Sequence, residues 1–160
     1  MRTGILVLAG AVAIAAAIGW YQYEAEQTRQ QGFAFGNDLQ QIQDDVKSLQ
    51  NGFYASIEAW EEGSTDKETL LKELGGHVAE FEDILARYDS LEPPEGFAGA
   101  VNLFRLSSQS QMESDRNYIE WLASGDQAAK TRSDLQLEES FDLEMAALAE
   151  FNLAKDGPAP

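Results

Sequence analysis

The sequence predicts an all-α protein: an N-terminal transmembrane helix followed by an extracytoplasmic up-down-up-down four-helix bundle. Three observations carry this. An apolar stretch fills most of the first twenty-odd residues, four later segments repeat apolar residues at intervals of three and four, and short links rich in Gly, Ser or Pro separate them. No stretch alternates with the two-residue period of a strand. The expected division is an anchor over 1–23, a neck over 24–37, the bundle over 38–155 and a tail over 156–160.

In the anchor, Gly4 to Trp20 carries no charge and is mostly Ala, Ile, Leu and Val. A helix from Thr3 to Tyr23 would be about 31 Å long, close to the thickness of a bilayer's hydrocarbon layer. Trp20, Tyr21 and Tyr23 follow at the place of an interfacial aromatic belt. Arg2 precedes the segment, while Glu24 and Glu26 follow it, so the N-terminus is expected in the cytoplasm of a single-pass chain with its bundle outside. The competing reading is a cleaved signal peptide, with Ile5 to Ile14 as its apolar region and Ala15-Ala16-Ala17 as its cleavage site. Ala9, Ala13 and Ala17 form a stripe of small residues that would admit a second membrane helix at close range. An Ala-rich segment also yields such spacing by chance.

The first bundle helix shows Leu39, Ile42, Val46, Leu49, Phe53, Ile57 and Trp60, a bundle stripe. Gly63-Ser64 ends it, and Thr65-Asp66-Lys67-Glu68 matches a capping box for the next. The second helix shows Leu70, Leu74, Val78, Phe81, Leu85 and Tyr88, and Pro93-Pro94 stops it, Pro94 suiting the first turn of a third. The third carries Phe97, Val101, Phe104, Met112, Ile119 and Leu122 up to the Ser124-Gly125-Asp126 turn, and the fourth Leu135, Phe141, Met145, Leu148 and Phe151. In the neck, Gly32 and Gly36 bracket Phe33 and Phe35, either kinking a continuous helix or marking a flexible joint. Exposed there, Phe33 and Phe35 would be partner contacts alongside Ala9, Ala13 and Ala17. Trp60 and Trp121 should share one end of the bundle, with the Pro93-Pro94 turn and Phe151 at the other.

Composition narrows the function. Eleven Lys and Arg face 28 Asp and Glu, a formal net charge of -17. That excess argues against nucleic acid as a partner, since binding it requires a positive footprint. With no Cys and one His among the 160 residues, thiolate zinc sites, iron–sulfur clusters, disulfides and multi-histidine metal sites are excluded within this sequence.

At one level the apolar stripes lapse. Ser108, Gln111 and Asp115 take inward positions of the third helix, Arg132, Glu138 and Glu139 lie around Leu135 on the fourth, and Gly75-Gly76-His77 interrupts the second. Rise per residue puts His77, Gln111 and Glu138 at nearly one height. The functional reading is a polar pocket, opened at Gly75 and Gly76 and lined by His77, Gln111, Asp115, Arg132 and Glu138. The ordinary reading is a solvated face with one ion pair, such as Asp115 with Arg132, a register device that bundle cores tolerate. Di-iron bundles need two Glu-x-x-His pairs, and this chain has only His77-x-x-Glu80, in reverse order. A haem held by His77 with Met112 or Met145 is the remaining cofactor reading, and no metal or cofactor is expected as the leading one. No catalytic Ser/His/Asp arrangement, phosphate loop or H-E-x-x-H occurs, so the chain does not read as an enzyme.

An anchor helix running into an outer four-helix bundle resembles the ligand-binding domains of membrane chemoreceptors, though this sequence carries no second apolar span or signalling module. Its apolar stem also resembles that of type IV pilins, but their early Glu is missing. Tyr88-Asp89-Ser90-Leu91-Glu92-Pro93-Pro94, Gln111-Met112-Glu113-Ser114-Asp115, Trp121, Gly125-Asp126, Arg132-Ser133-Asp134 and Ser140-Phe141 together are similar to a family of small membrane-anchored proteins of ammonia-oxidising and related archaea. That likeness spans about residues 35–155 and carries no site residues. It implies one setting, an accessory subunit beside a membrane enzyme such as the archaeal ammonia monooxygenase. The leading expectation is thus a non-enzymatic interaction subunit of a membrane or cell-surface complex, touching the bilayer through residues 3–23. Its rivals are a small-ligand-binding or sensing bundle and a haem or metal carrier.

Overall fold

The computed structural model describes residues 26–156, without the side chains of 26–31 and Phe33. The expected anchor over 3–23, with Ala9, Ala13 and Ala17, lies outside the described residues, as does the side chain of Phe33. The described chain is four α-helices, with no strand among its residues: α1 (Glu26–Glu61), α2 (Lys67–Tyr88), α3 (Ala98–Ser124) and α4 (Gln127–Asp156). Among the described residues no helix is long and apolar enough to cross a membrane.

Local chemistry sets the helix ends. α1 runs unbroken through Gly32 and Gly36, so the neck is helical from Glu26 onward. It stops at Gly63, whose φ of 77° puts it in the left-handed region, with Ser64 N–H donating to the Ala59 carbonyl at 2.8 Å. The cap of α2 is Asp66 rather than Thr65. Its carboxylate accepts from the Thr69 N–H at 2.8 Å and from the Thr69 hydroxyl at 3.2 Å, two bonds where Thr65 would offer one. Pro94 does not open α3 either. Its carbonyl accepts from the Phe97 N–H at 3.0 Å across a turn in which Gly96 has a φ of 90°, and α3 begins at Ala98. Gly125, at φ 77°, closes α3, and Asp126 caps α4 by accepting from the Ala128 N–H at 2.9 Å.

Consecutive helices are antiparallel neighbours. Arg87 pairs with Asp45 between α1 and α2, Arg116 with Glu82 between α2 and α3, and Arg132 with Glu120 between α3 and α4. The α3–α4 contact is the most extensive, and α1 and α4 do not approach as closely as the consecutive pairs. Small residues explain this. Ala100, Ser107 and Ser114 recur every seven residues on α3, and Ser133, Ser140 and Ala147 do so on α4, all buried. Ser107 Oγ donates to the Ser140 carbonyl at 2.9 Å, and Ser114 Oγ to the Ser133 carbonyl at 2.8 Å. Side chains of this size bring the backbone carbonyls of α4 within reach of the short serine hydroxyls of α3.

The core falls into two clusters. One gathers Phe35, Leu39, Ile42, Phe81, Phe97, Phe104 and Phe151, and the other Phe53, Ile57, Leu70, Leu74 and Leu122 with Trp60 and Trp121 packed on it. The two Trp therefore share an end, as the sequence predicts. Phe35 corrects one expectation: it is 7 % exposed, with its ring 5.8 Å from that of Phe97, so it belongs to the core and is no free contact. Leu135 and Met145 correct another. They are 61 % and 64 % exposed, because the inward face of α4 is reserved for Ala129, Ser133, Ser140 and Ala147.

Candidate functional site

Between the two clusters lies a polar layer. On α1, Gln50 separates Leu49 from Phe53, and on α3, Asp115 separates Met112 from Tyr118. Asp115 is 4 % exposed. Gln50 Nε2 donates to its Oδ2 at 2.8 Å, and Gln111 Nε2 to its Oδ1 at 3.1 Å. Neither donor carries charge. Burial therefore dominates and pushes the Asp115 carboxyl up to about 7, with the two amide bonds working against it. Burial, and then the nearby Asp115 charge, hold the Tyr54 phenol up at about 12.

A second polar string runs alongside. Gln43 Nε2 donates to the Tyr88 hydroxyl, which shares a 3.1 Å hydrogen bond with Ser108 Oγ, so α1, α2 and α3 are tied at one point. The Tyr88 phenol is raised, chiefly by burial. Glu144 of α4 is half-buried and also raised by loss of solvent. Gln43, Lys47, Gln50, Ser108, Gln111 and Glu144 are among the residues around a cleft of about 60 Å³ on the α1–α4 side of α3.

Of the five residues expected in the polar pocket, the structure joins two, Gln111 and Asp115. His77 lies at the same level on α2 but faces α1. Its Cε1 would stand 2.8 Å from a Cβ at Gly52, and its ring meets Phe53 edge-on at 6.2 Å. Arg132 is exposed and pairs outward with Glu120 at 3.0 Å and with Asn117 at 2.9 Å, so the Asp115–Arg132 pair does not form. Glu138 is exposed on the outer side of α4. Gly75 and Gly76 open no cavity, because a Cβ on either would meet nothing within 4 Å. The glycine that makes room is Gly52, beneath the His77 ring. Met145 faces outward and cannot share an interior haem with His77, and no three His, Asp or Glu among the described residues converge as metal ligands.

Gln50, Tyr54, Glu144 and the paired serines were not apparent as site residues. The seven-residue spacing of Ser133, Ser140 and Ala147 was the available signal for the α3–α4 contact. Gln50 gave none, since it adjoins the Leu49–Phe53 stripe as an ordinary flanking residue. The arrangement suits holding a proton or a small polar species. The chain matches no protein-family model, no curated protein and no solved structure.

Proposed function

We propose that the protein is a non-enzymatic, membrane-anchored interaction subunit that docks on another membrane or cell-surface protein through the outer face of α4. The observation that supports this is the row of large apolar side chains that α4 exposes. Leu135, Met145 and Leu153 are 61, 64 and 74 % exposed. Leu135 and Leu153 are eighteen residues apart, five helical turns, so they share one face, with exposed Ala146 and Ala149 between them. A lone exposed Leu is ordinary, and it is the concentration of three large exposed apolar side chains on one helix that singles out α4. Glu138 and Glu139 flank this face and Asp142 falls within it, so the partner sets basic groups among its apolar ones. The apolar segment 3–23 supplies the anchor and places the bundle outside the cytoplasm. The reading as a binder of organic ligands has less support: the interior cleft is about 60 Å³, against about 300–1,000 Å³ for ligand pockets, and the larger hollow beside His77, about 460 Å³, is a shallow surface trough with Asp45, Glu80 and Asp83 along it.

The test is native-gel migration of the full chain extracted from its membranes in mild detergent, with mass spectrometry of the band. Wild type should comigrate with a larger complex, the membrane ammonia monooxygenase being the first to look for. A Leu135→Glu/Leu153→Glu variant with unchanged thermal stability should migrate alone. Wild type migrating alone defeats the proposal. Comigration lost only on Ala13→Leu would move the contact from α4 to the anchor segment.

A further inference from the structure

Among the described residues Asp115 is the one buried carboxyl. It belongs to α3, yet one of its two hydrogen bonds comes from α1, donated by Gln50 Nε2 at 2.8 Å. The other comes from Gln111 Nε2 at 3.1 Å. Both donors are neutral, and Gln50 Oε1 is buried and accepts no hydrogen bond. A protonated carboxyl brings no charge into this layer. An ionised one is a buried charge without a cation, and it is stabilised by admitting water. Gln50 and Gln111 line the α1–α3–α4 cleft, whereas Asp115 itself is not on that wall. Water therefore reaches the acid only when the wall parts.

The wall is weakest on its α1 side. α3 and α4 are held by the Ser107–Ser140 and Ser114–Ser133 bonds, whereas α1 and α4 approach less closely. We propose that the Gln50–Asp115 pair is a proton-controlled latch: α1 parts from α4 as Asp115 gives up its proton, baring Val46, Phe104 and Phe141 of the cleft wall while the α3–α4 hairpin stays closed. The other ionisable groups around the layer are placed differently. Tyr54 of α1 is held up at about 12 and keeps its proton. Lys47 of α1 and Glu144 of α4 line the cleft with part of their surface already in solvent. His77 of α2 packs its ring on Phe53, and Glu113 and Arg116 of α3 pair with each other. Opening releases the Asp115 proton between its ordinary 3.8 and its folded value of about 7. Each pH unit in that window favours the open form about tenfold, and above it the gain is complete.

Amide hydrogen exchange of the full chain in detergent, read by mass spectrometry and corrected for the intrinsic effect of pH, tests the latch. Amides of α1 from Gln43 to Tyr54 should be less protected than those of α3 from Ser107 to Ser114, and their protection should fall about a hundredfold between about pH 5 and about pH 7. Asp115→Asn should remove that fall. Equal protection of α1 and α3 at every pH would mean that α1 opens only with the whole molecule, and would overturn the proposal. So would an α1 protection indifferent to pH, or a slope that persists in Asp115→Asn. If Asp115→Asn does not fold, Glu144→Gln decides. The slope should survive removal of the other carboxyl that burial raises at the cleft, and its loss would overturn the assignment to Asp115.

Discussion

Asp115 is the residue whose chemistry departs furthest from the ordinary. Two amides bond to it but no cation does, so folding favours its protonated form. Its folded value of about 7 lies above its ordinary 3.8. The native state therefore binds more protons than the unfolded state between those values, and stability falls as pH rises through that window and is level beyond it. Asp115→Asn should abolish this slope. Denaturant unfolding well above the window should show the variant more stable than wild type by roughly 1–3 kcal/mol, and well below it the two should agree. Gln111 and Asp115 were readable in the sequence because polar residues interrupt an apolar stripe at fixed helical spacing. Their partner was not. Arg132 is the obvious mate by charge, yet its long side chain reaches Glu120 and Asn117 at the surface at no desolvation cost, and the neutral Gln50 takes its place. His77 shows the same limit: its height was readable, its facing was not, because that depends on the missing side chain of Gly52 on another helix.

At the scale of elements, size decides where polarity and charge do not. α3 and α4 meet through Ala and Ser, so bulk at Ser140 should matter more than its hydroxyl. Ser140→Leu should destabilise by about 1–3 kcal/mol through overpacking. Ser140→Ala should cost well under that, since the Ser140 carbonyl still accepts from Ser107. Chemical denaturation separates the two, and equal losses would argue against close backbone approach. The glycines make a matched set. Gly75→Ala and Gly76→Ala should each stabilise by about 0.5–1 kcal/mol, since a methyl there enters open space and helix propensity improves. Gly52→Ala should lack that gain, because its Cβ would lie 2.8 Å from His77 Cε1 and the ring must move. The segments of α1 and α2 were readable from their Leu, Ile and Phe stripes. The inward face of α4 was not, because its exposed Leu135 and Met145 outweigh its buried serines on any scale of hydrophobicity.

For the whole molecule, charge and connectivity are the governing terms. A net charge of -17 repels itself across a small surface, so the folding midpoint should climb with added salt and level off near ~1 M as screening saturates. A midpoint indifferent to salt would mean that the arginine bridges between helices already disperse the charge. The all-α architecture and helix order followed from the sequence, since short links force consecutive helices to be antiparallel neighbours. What the links do not determine is how firmly the first helix meets the last, and here that contact is the loose one. Mechanical load makes the consequence plain. Because α1 is one uninterrupted rod, a pull at its N-terminal end is not absorbed by a hinge but delivered along the rod to the seam beside α4. Stretched by an optical trap between the two chain ends, the molecule should yield in two steps, α1 peeling away first and the serine-zipped α3–α4 hairpin giving way at higher force. A single rip would mean that the seam is as strong as the hairpin.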